Sequence, residues 1–353
     1  MIKKKCFENN WIISKYKEIK ADPILIEKAI YAFELLGSLI ENNVNLIFKG
    51  GTGLMLLIPE LKRLSIDIDI LNESDDESLN SAFNRIIEGG IFNRWEENKR
   101  TSNYKIAKKH FKFFYHSSIE NLESHILLDI VQSNYSFLNT TEKSINLPLF
   151  EIEKEIKVVV PTINSYIGDK LTAFAPKTIG IPYGKNKSME IIKQLFDLGL
   201  LFEHITSLKE ISQIYKKISK TESSYRDMNA PVDVFLNDSI DTSFLICQLD
   251  FRKSIIDNYT KELREGIRKI KSHIVGGKYS LLNAKEDASK VACLAFLIRD
   301  DRLDVDIEKI KQDEKYLDKI KDVDLPDDLD VINKLKAISP KSFYLWAVAT
   351  KVI

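Results

Sequence analysis

Phe48-Lys49-Gly50-Gly51-Thr52, with Ser65-Ile66-Asp67-Ile68-Asp69-Ile70-Leu71 shortly behind it, is the stretch that decides the fold of this 353-residue chain. Residues 44–48 read as a short strand, Gly50-Gly51 as a turn, and residues 52–57 as the start of a helix. From 65 to 71 apolar and polar residues alternate with the period of a half-buried strand. Residues i and i+2 of a strand share a face, which sets Asp67 beside Asp69 and turns Ile66, Ile68 and Ile70 toward the core. Two carboxylates on one face repel each other unless a cation lies between them. Magnesium suits that place, because it asks for only one or two protein carboxylates and takes its other oxygens from water and phosphate. The same alternation also fits an edge strand with a solvated acidic face. The paired glycines let the backbone come close to a phosphate, the helix start behind them turns free N–H groups toward an anion, and Thr52 adds a hydroxyl. Taken alone, a Gly-Gly is a tight turn. The spacings of a P-loop and of a dinucleotide-binding fingerprint are absent.

Outward from this unit, residues 22–41 have apolar positions at helical spacing, with Asp22-Pro23 as N-cap and first turn, and Asn42-Asn43 end the helix. Further strands are expected at 109–116, 125–131 and 156–160. Past Pro161 the texture becomes helical, at 164–174, 188–204, 207–220, 242–273 and 284–299, and then at 307–320 and 329–338 in a charged tail. The expectation is an α/β (α+β) fold: an α/β domain over residues 1–160, followed by a mostly helical domain over 161–353.

Composition narrows the function. Hydrophobic residues make up 44% and charged residues 29% of the chain, which suits a globular domain with a real core. The 52 basic and 52 acidic side chains cancel. A protein that binds nucleic acid through its overall charge is therefore excluded, and any phosphate contact has to be local. Cys6, Cys247 and Cys293 are far apart and odd in number, which points to a reducing compartment and against a disulfide framework. The five histidines show no zinc-binding spacing. No apolar run is long enough for a membrane span and no apolar region follows Met1-Ile2-Lys3-Lys4-Lys5, so a cytoplasmic protein is expected.

In their order along the chain, the Gly-Gly-Thr turn and the Asp-x-Asp strand resemble the layout of polymerase-beta-like nucleotidyltransferases, which implies a nucleotidyltransferase domain with a mixed sheet over residues 1–160. Lys49-Gly50-Gly51-Thr52 together with Arg63-Leu64-Ser65-Ile66-Asp67-Ile68-Asp69 resembles one family within them, the AbiEii toxins of type IV abortive-infection and toxin–antitoxin systems. Asp169-Lys170-Leu171-Thr172-Ala173 and Lys193-Gln194-Leu195-Phe196-Asp197-Leu198 resemble that family's downstream motifs, with Gln194 where an acid is usual and without the arginine that often precedes the segment. The resemblance runs over residues 44–200. It implies transfer of a nucleotidyl group from a nucleoside triphosphate to a hydroxyl, with one or two magnesium ions at Asp67 and Asp69. Lys49, Lys170 and Asp197 would join these two aspartates in catalysis. Gly50, Gly51, Thr52, Arg63 and Ser65 would contact the nucleotide. It further implies a transfer RNA 3′ end as acceptor, a cognate antitoxin as partner, and growth arrest as the outcome. In relatives the serine of the Arg-x-Ser-x-Asp motif is phosphorylated when the toxin is neutralised, which makes Ser65 a control point.

Each of these residues also has a plainer reading. Lys170 suits a snorkelling surface lysine on an apolar helix, and Asp197 an exposed acid facing Lys193 one turn earlier. Asp129, an acid inside an apolar strand, needs a partner: a metal shared with Asp67 and Asp69, or a lysine or arginine. Residues 176–187, with three lysines, serve either as a loop near phosphates or as a long surface connection. Gly276-Gly277-Lys278 reads as a turn between helices. The stripe Arg264, Arg268, Lys269 and Lys271, interspersed with Glu262 and Glu265, fits a solvated face better than an RNA-binding one. Two rival functions stay open, a nucleotide-binding regulatory protein without transfer activity and a protein-modifying nucleotidyltransferase.

Overall fold

The structure, a computed structural model, describes residues 1–98, 108–132 and 138–353. These form two units, Met1–Thr162 with Ser272–Lys278, and Ile163–Lys271 with Tyr279–Ile353.

The first unit runs α1 (Asn9–Ile19), α2 (Pro23–Glu41), β1 (Ile47–Lys49), α3 (Gly50–Leu54), β2 (Ile68–Leu71), α4 (Asp76–Glu88), β3 (Arg94–Glu97), β4 (Lys108–His116), β5 (Glu123–Val131), β6 (Thr140–Ser144) and β7 (Lys157–Pro161). The Asp22 carboxylate accepts the backbone N–H groups of Ile24 and Leu25 and so starts α2, as expected. Its apolar stripe, Ile26, Ala29, Ile30, Phe33 and Leu36, is fully buried. Five strands make one sheet in the order β1-β2-β5-β4-β3, and β6 and β7 form a separate antiparallel pair. β2 runs parallel to β5 and the other neighbours are antiparallel, so the sheet is mixed, as expected.

One face of this sheet is covered. On β5, Ser124, Ile126, Leu128 and Ile130 are buried, whereas His125, Leu127, Asp129 and Val131 keep partial exposure. Above the covered face Phe83 of α4 meets Phe111 and Phe113 edge to face, and Tyr31 of α2 stacks on Tyr115. The opposite face carries Asp69, Asp129 and His110, each partly exposed.

The elements differ from expectation chiefly at their ends. β1 begins at Ile47, three residues after Val44, and α3 begins at Gly50, two before Thr52. β2 covers only Ile68–Leu71, leaving Asp67 just ahead of it. The reason lies in its partners. β1 ends opposite Asp69, and the Asp67 carbonyl accepts the Thr52 hydroxyl at 2.6 Å. Ile68 and Ile70 are fully buried, but Ile66, outside the ladder, is only half-buried. α1, α4, β3 and β6 were not expected. β6, Thr-Thr-Glu-Lys-Ser, has no apolar alternation and owes its place to pairing with β7. Nor was the return of Ser272–Lys278 to this unit: Leu64 N–H donates to the His273 carbonyl at 2.7 Å and Val275 N–H to that of Lys62 at 3.0 Å.

The second unit is helical: α5 (Ile163–Ala173), α6 (Ser188–Phe202), α7 (Leu208–Tyr225), α8 (Val232–Gln248), α9 (Asn258–Lys269), α10 (Leu281–Arg299), α11 (Ile307–Gln312), α12 (Tyr316–Ile320), α13 (Leu335–Ile338) and α14 (Pro340–Ala349). Trp346 of α14 is fully buried, and its indole N–H donates to the Ser289 hydroxyl of α10. The single helix expected at 242–273 is two helices. Leu249 leaves helical geometry, Asp250 and Lys253 take positive φ, and Asp257 with Thr260 forms a capping box that starts α9. Helical spacing survives the break because Leu249 and Phe251 continue the apolar stripe. The segment 307–320 divides at Asp313 into α11 and α12, and 329–338 is a 3₁₀ turn followed by α13. Among the described residues no helix is long and apolar enough to cross a membrane.

Candidate functional site

The two glycines of the turn are where the first unit assembles its polar residues. Gly50 has φ +76°, a conformation that L side chains rarely adopt. A Cβ there would lie 2.8 Å from Cγ of Asp69. A Cβ on Gly51 would lie 2.8 Å from the Ser65 hydroxyl and 3.2 Å from Cζ of Arg63. Each glycine thus gives up its side chain to a residue of the Arg-x-Ser-x-Asp-x-Asp segment. Thr52, fully buried, holds the Asp67 backbone through its hydroxyl, so its side chain ties the turn to the acidic segment. Arg63 is also buried, with one guanidinium nitrogen 3.3 Å from the Leu64 carbonyl.

Strand register extends the site sideways. Lys49 of β1 faces Asp69 of β2, Asp69 faces Asp129 of β5, and Asp129 faces His110 of β4. Residues directly in register share a face, so Lys49, Asp69, Asp129 and His110 form a row across four strands on the face opposite α2 and α4. Asp129 does find a partner, and it is neither lysine nor arginine: His110 Nδ1 lies 2.7 Å from Asp129 Oδ1. Nothing in Lys108-Lys109-His110-Phe111 marks that histidine as special. Only the register of β4 on β5 does.

As donors, Asp67 and Asp69 are hard oxygens at alternate positions beside a turn without side chains, which fits the one or two protein carboxylates that magnesium asks for. Among the described residues no three His, Cys, Asp or Glu side chains converge as a metal-holding group.

In the second unit Lys170 of α5 and Asp197 of α6 meet at 2.6 Å, and both side chains are essentially removed from solvent. Neither the snorkelling lysine nor the exposed acid facing Lys193 describes them. Gln194, one turn ahead of Asp197, accepts from Lys170 at 3.3 Å, so the amide serves the lysine where an acid is usual in the resemblance. Nearby, Asp287 of α10 is half-buried and accepts the Tyr279 hydroxyl at 2.7 Å; desolvation pushes its carboxyl up to about 7. The loop at 176–187 is pinned at both ends. Asp238 accepts Lys177 N–H and the Thr178 hydroxyl, each at 2.8 Å, and Glu262 accepts Gly184 N–H at 2.9 Å. Burial raises the Asp238 carboxyl to about 6. On α9 Arg264 pairs with Asp250 and Lys269 with Glu265, as suits a solvated face. Gly276 and Gly277 both take positive φ, as a turn requires.

Residues 35–269 match the family described as nucleotidyl transferase AbiEii toxin of type IV toxin–antitoxin systems. No curated protein matches the chain. Among solved structures, MenT4, a nucleotidyltransferase toxin from Mycobacterium tuberculosis, superposes with a TM-score of 0.51 at 12% identity, covering 92% of each chain. JHP933 from Helicobacter pylori gives 0.43 at 16% identity, over 83% of this chain and 98% of its own. At such identities the MenT4 likeness is one of fold, and it agrees with the mixed α/β architecture.

Proposed function

The chain belongs to the AbiEii nucleotidyltransferase toxin family of type IV toxin–antitoxin systems, and from that premise we propose that it transfers a nucleotidyl group from a nucleoside triphosphate to a hydroxyl at the 3′ end of a transfer RNA, arresting growth until a cognate antitoxin silences it. The observation that carries this reading is the closure of the glycine turn on the acidic segment, with Gly50 against the Asp69 carboxylate and Thr52 bonded to the Asp67 backbone.

In this reading the backbone N–H groups of Gly50, Gly51 and Thr52 cradle the β and γ phosphates. α3 has only five residues, so its dipole is small and the cradle depends on those N–H groups themselves. Magnesium, held by Asp67 and Asp69, would supply Lewis-acid polarisation of the phosphoryl oxygens when bound. Lys49, beside Asp69, offsets negative charge on the triphosphate, and Arg63 and Ser65 stand against Gly51. Lys170, held by Asp197 and Gln194, is the cation of the second cluster. A phosphate on Ser65 would add about −2 charge beside two carboxylates and repel metal and triphosphate alike, a route to silencing.

Purified protein, each labelled triphosphate and total transfer RNA, with magnesium or with EDTA, test the reading. Magnesium-dependent label on RNA is expected, and Asp67→Ala should lower the rate on the order of 10³-fold, about 4 kcal/mol of transition-state stabilisation. Near-wild-type transfer by folded Asp67→Ala protein refutes the assignment. Bound nucleotide without transfer makes the chain a regulatory nucleotide binder, and label on protein makes it a protein-modifying transferase.

A further inference from the structure

The face of the sheet opposite α2 and α4 carries a histidine with no part in the phosphate cradle. His110 lies at the far end of the row that begins at Lys49, and its ring is 14% exposed beside an Asp129 carboxylate that is 31% exposed. A carboxylate oxygen accepts and does not donate, so the Nδ1 that meets it at 2.7 Å carries the hydrogen. In the neutral ring Nε2 is then an acceptor. Neighbouring strands lie about 4.8 Å apart, which sets His110 about 10 Å along the row from Asp69. A phosphoryl group and the hydroxyl approaching it fill a span of that size. Asp129 stands between them in the row with one oxygen already engaged, and among the described residues it joins no three-carboxylate cluster.

We propose that Asp129 is the holder of His110 rather than a metal ligand, and that His110 Nε2 accepts the hydrogen bond of the attacking acceptor hydroxyl and aims it at the phosphorus. The inference rests on the nucleotidyl-transfer reading. Asp129 is then a positioning residue acting through His110. The site divides its labour along the row, with the triphosphate end at Lys49 and Asp69 and the acceptor end at His110.

The test uses the full chain and three measurements. In Mn2+ titrations followed by electron paramagnetic resonance, Asp67→Asn should weaken binding about tenfold or more, and Asp129→Asn and His110→Asn should leave it within twofold. Loss of Mn2+ binding in Asp129→Asn overturns the proposal. Imidazole 15N spectra should show His110 as the Nδ1–H tautomer, and the Nε2–H tautomer overturns it. In transfer kinetics His110→Asn keeps a donor for Asp129 but removes the reach of Nε2. It should raise KM for transfer RNA on the order of 10- to 100-fold, leave KM for the triphosphate and the Tm unchanged, and be partly rescued by His110→Gln, whose amide oxygen reaches the Nε2 position. An unchanged transfer RNA KM, or an equal rise in both KM values, overturns the proposal. If wild-type protein transfers nothing, the nucleotidyl reading falls, while the Mn2+ and tautomer results still decide whether Asp129 belongs to the histidine.

Discussion

Replacing Gly50 by alanine adds one methyl group, and the structure sets what that methyl must displace. At φ +76° an alanine costs about 1–2 kcal/mol of backbone strain. The new carbon would stand 2.8 Å from Asp69 Cγ, where ordinary contact begins at 3.4 Å. The carboxylate, or the turn that faces it, must therefore retreat by about half an ångström or more. A shift approaching 1 Å in a reacting assembly costs about 10²-fold in rate. Gly50→Ala should thus melt only a few degrees lower, at roughly 2–4 °C per kcal/mol, yet lose about 10²-fold in magnesium-dependent label transfer. Gly51→Ala is the control. Its backbone carries no positive φ, and its methyl meets the ends of two side chains, Ser65 and Arg63, which can give way. It should lose about tenfold or less. Thermal melts and initial-rate transfer assays on both variants decide the matter. A folded Gly50→Ala protein working within threefold of wild type, or Gly51→Ala proving the more damaging, refutes the argument that the turn is shaped around the Asp69 carboxylate.

Three further outcomes are expected. Removing one partner of the buried Lys170–Asp197 pair strands a charge and should cost about 3–5 kcal/mol, whereas Lys170→Met with Asp197→Leu should be much milder. Urea unfolding of the singles and the double checks this, and additive losses contradict it. Asp287 has a folded-state carboxyl raised from 3.8 to about 7, so between these values the folded state holds a proton that the unfolded state has released. Stability from this group is full below about pH 4 and is lost as pH rises through 7. Relative to Asp287→Asn, the wild type should therefore weaken between pH 4.5 and 7.5, and parallel stability profiles would disprove the burial of a reluctant carboxylate. Glu27, fully buried on α2, accepts the Ser117 hydroxyl and the N–H and hydroxyl of Ser118. Glu27→Ala should cost about 2–4 kcal/mol by leaving those donors unmet, and an unshifted melting curve would count against it.

What could be read from the amino acids alone was whatever depends on neighbours in sequence. Asp22-Pro23 starts a helix through its own next two N–H groups, and the Gly-Gly turn and the Asp-x-Asp pair are local patterns. The α/β class followed from them because a strand, turn, helix and strand in that order leave few ways to form a sheet, and the mixed sheet followed from the resemblance they carry. What escaped depends on partners far away. Ile66 resembles Ile68 in context, yet lies beyond the end of the β1 ladder. His110 has meaning only through the register of β4 on β5. Lys170 and Asp197 looked like solvated charges because each is commonplace on its own helix; only the packing of α5 on α6 removes them from water together. β6 has no period to detect, since a polar strand is made by its partner.

The return of Ser272–Lys278 to the first unit has a consequence for the order in which a growing chain becomes complete. The segment at 62–64, just ahead of the acidic pair, finds its backbone partners at His273 and Val275, about 210 residues later. At roughly 5–20 residues per second, translation leaves that edge unpaired for on the order of 10–40 s. A nascent chain therefore carries the acidic motif long before it carries the segment that braces it, and the site reaches its final form only when most of the second unit has already been made.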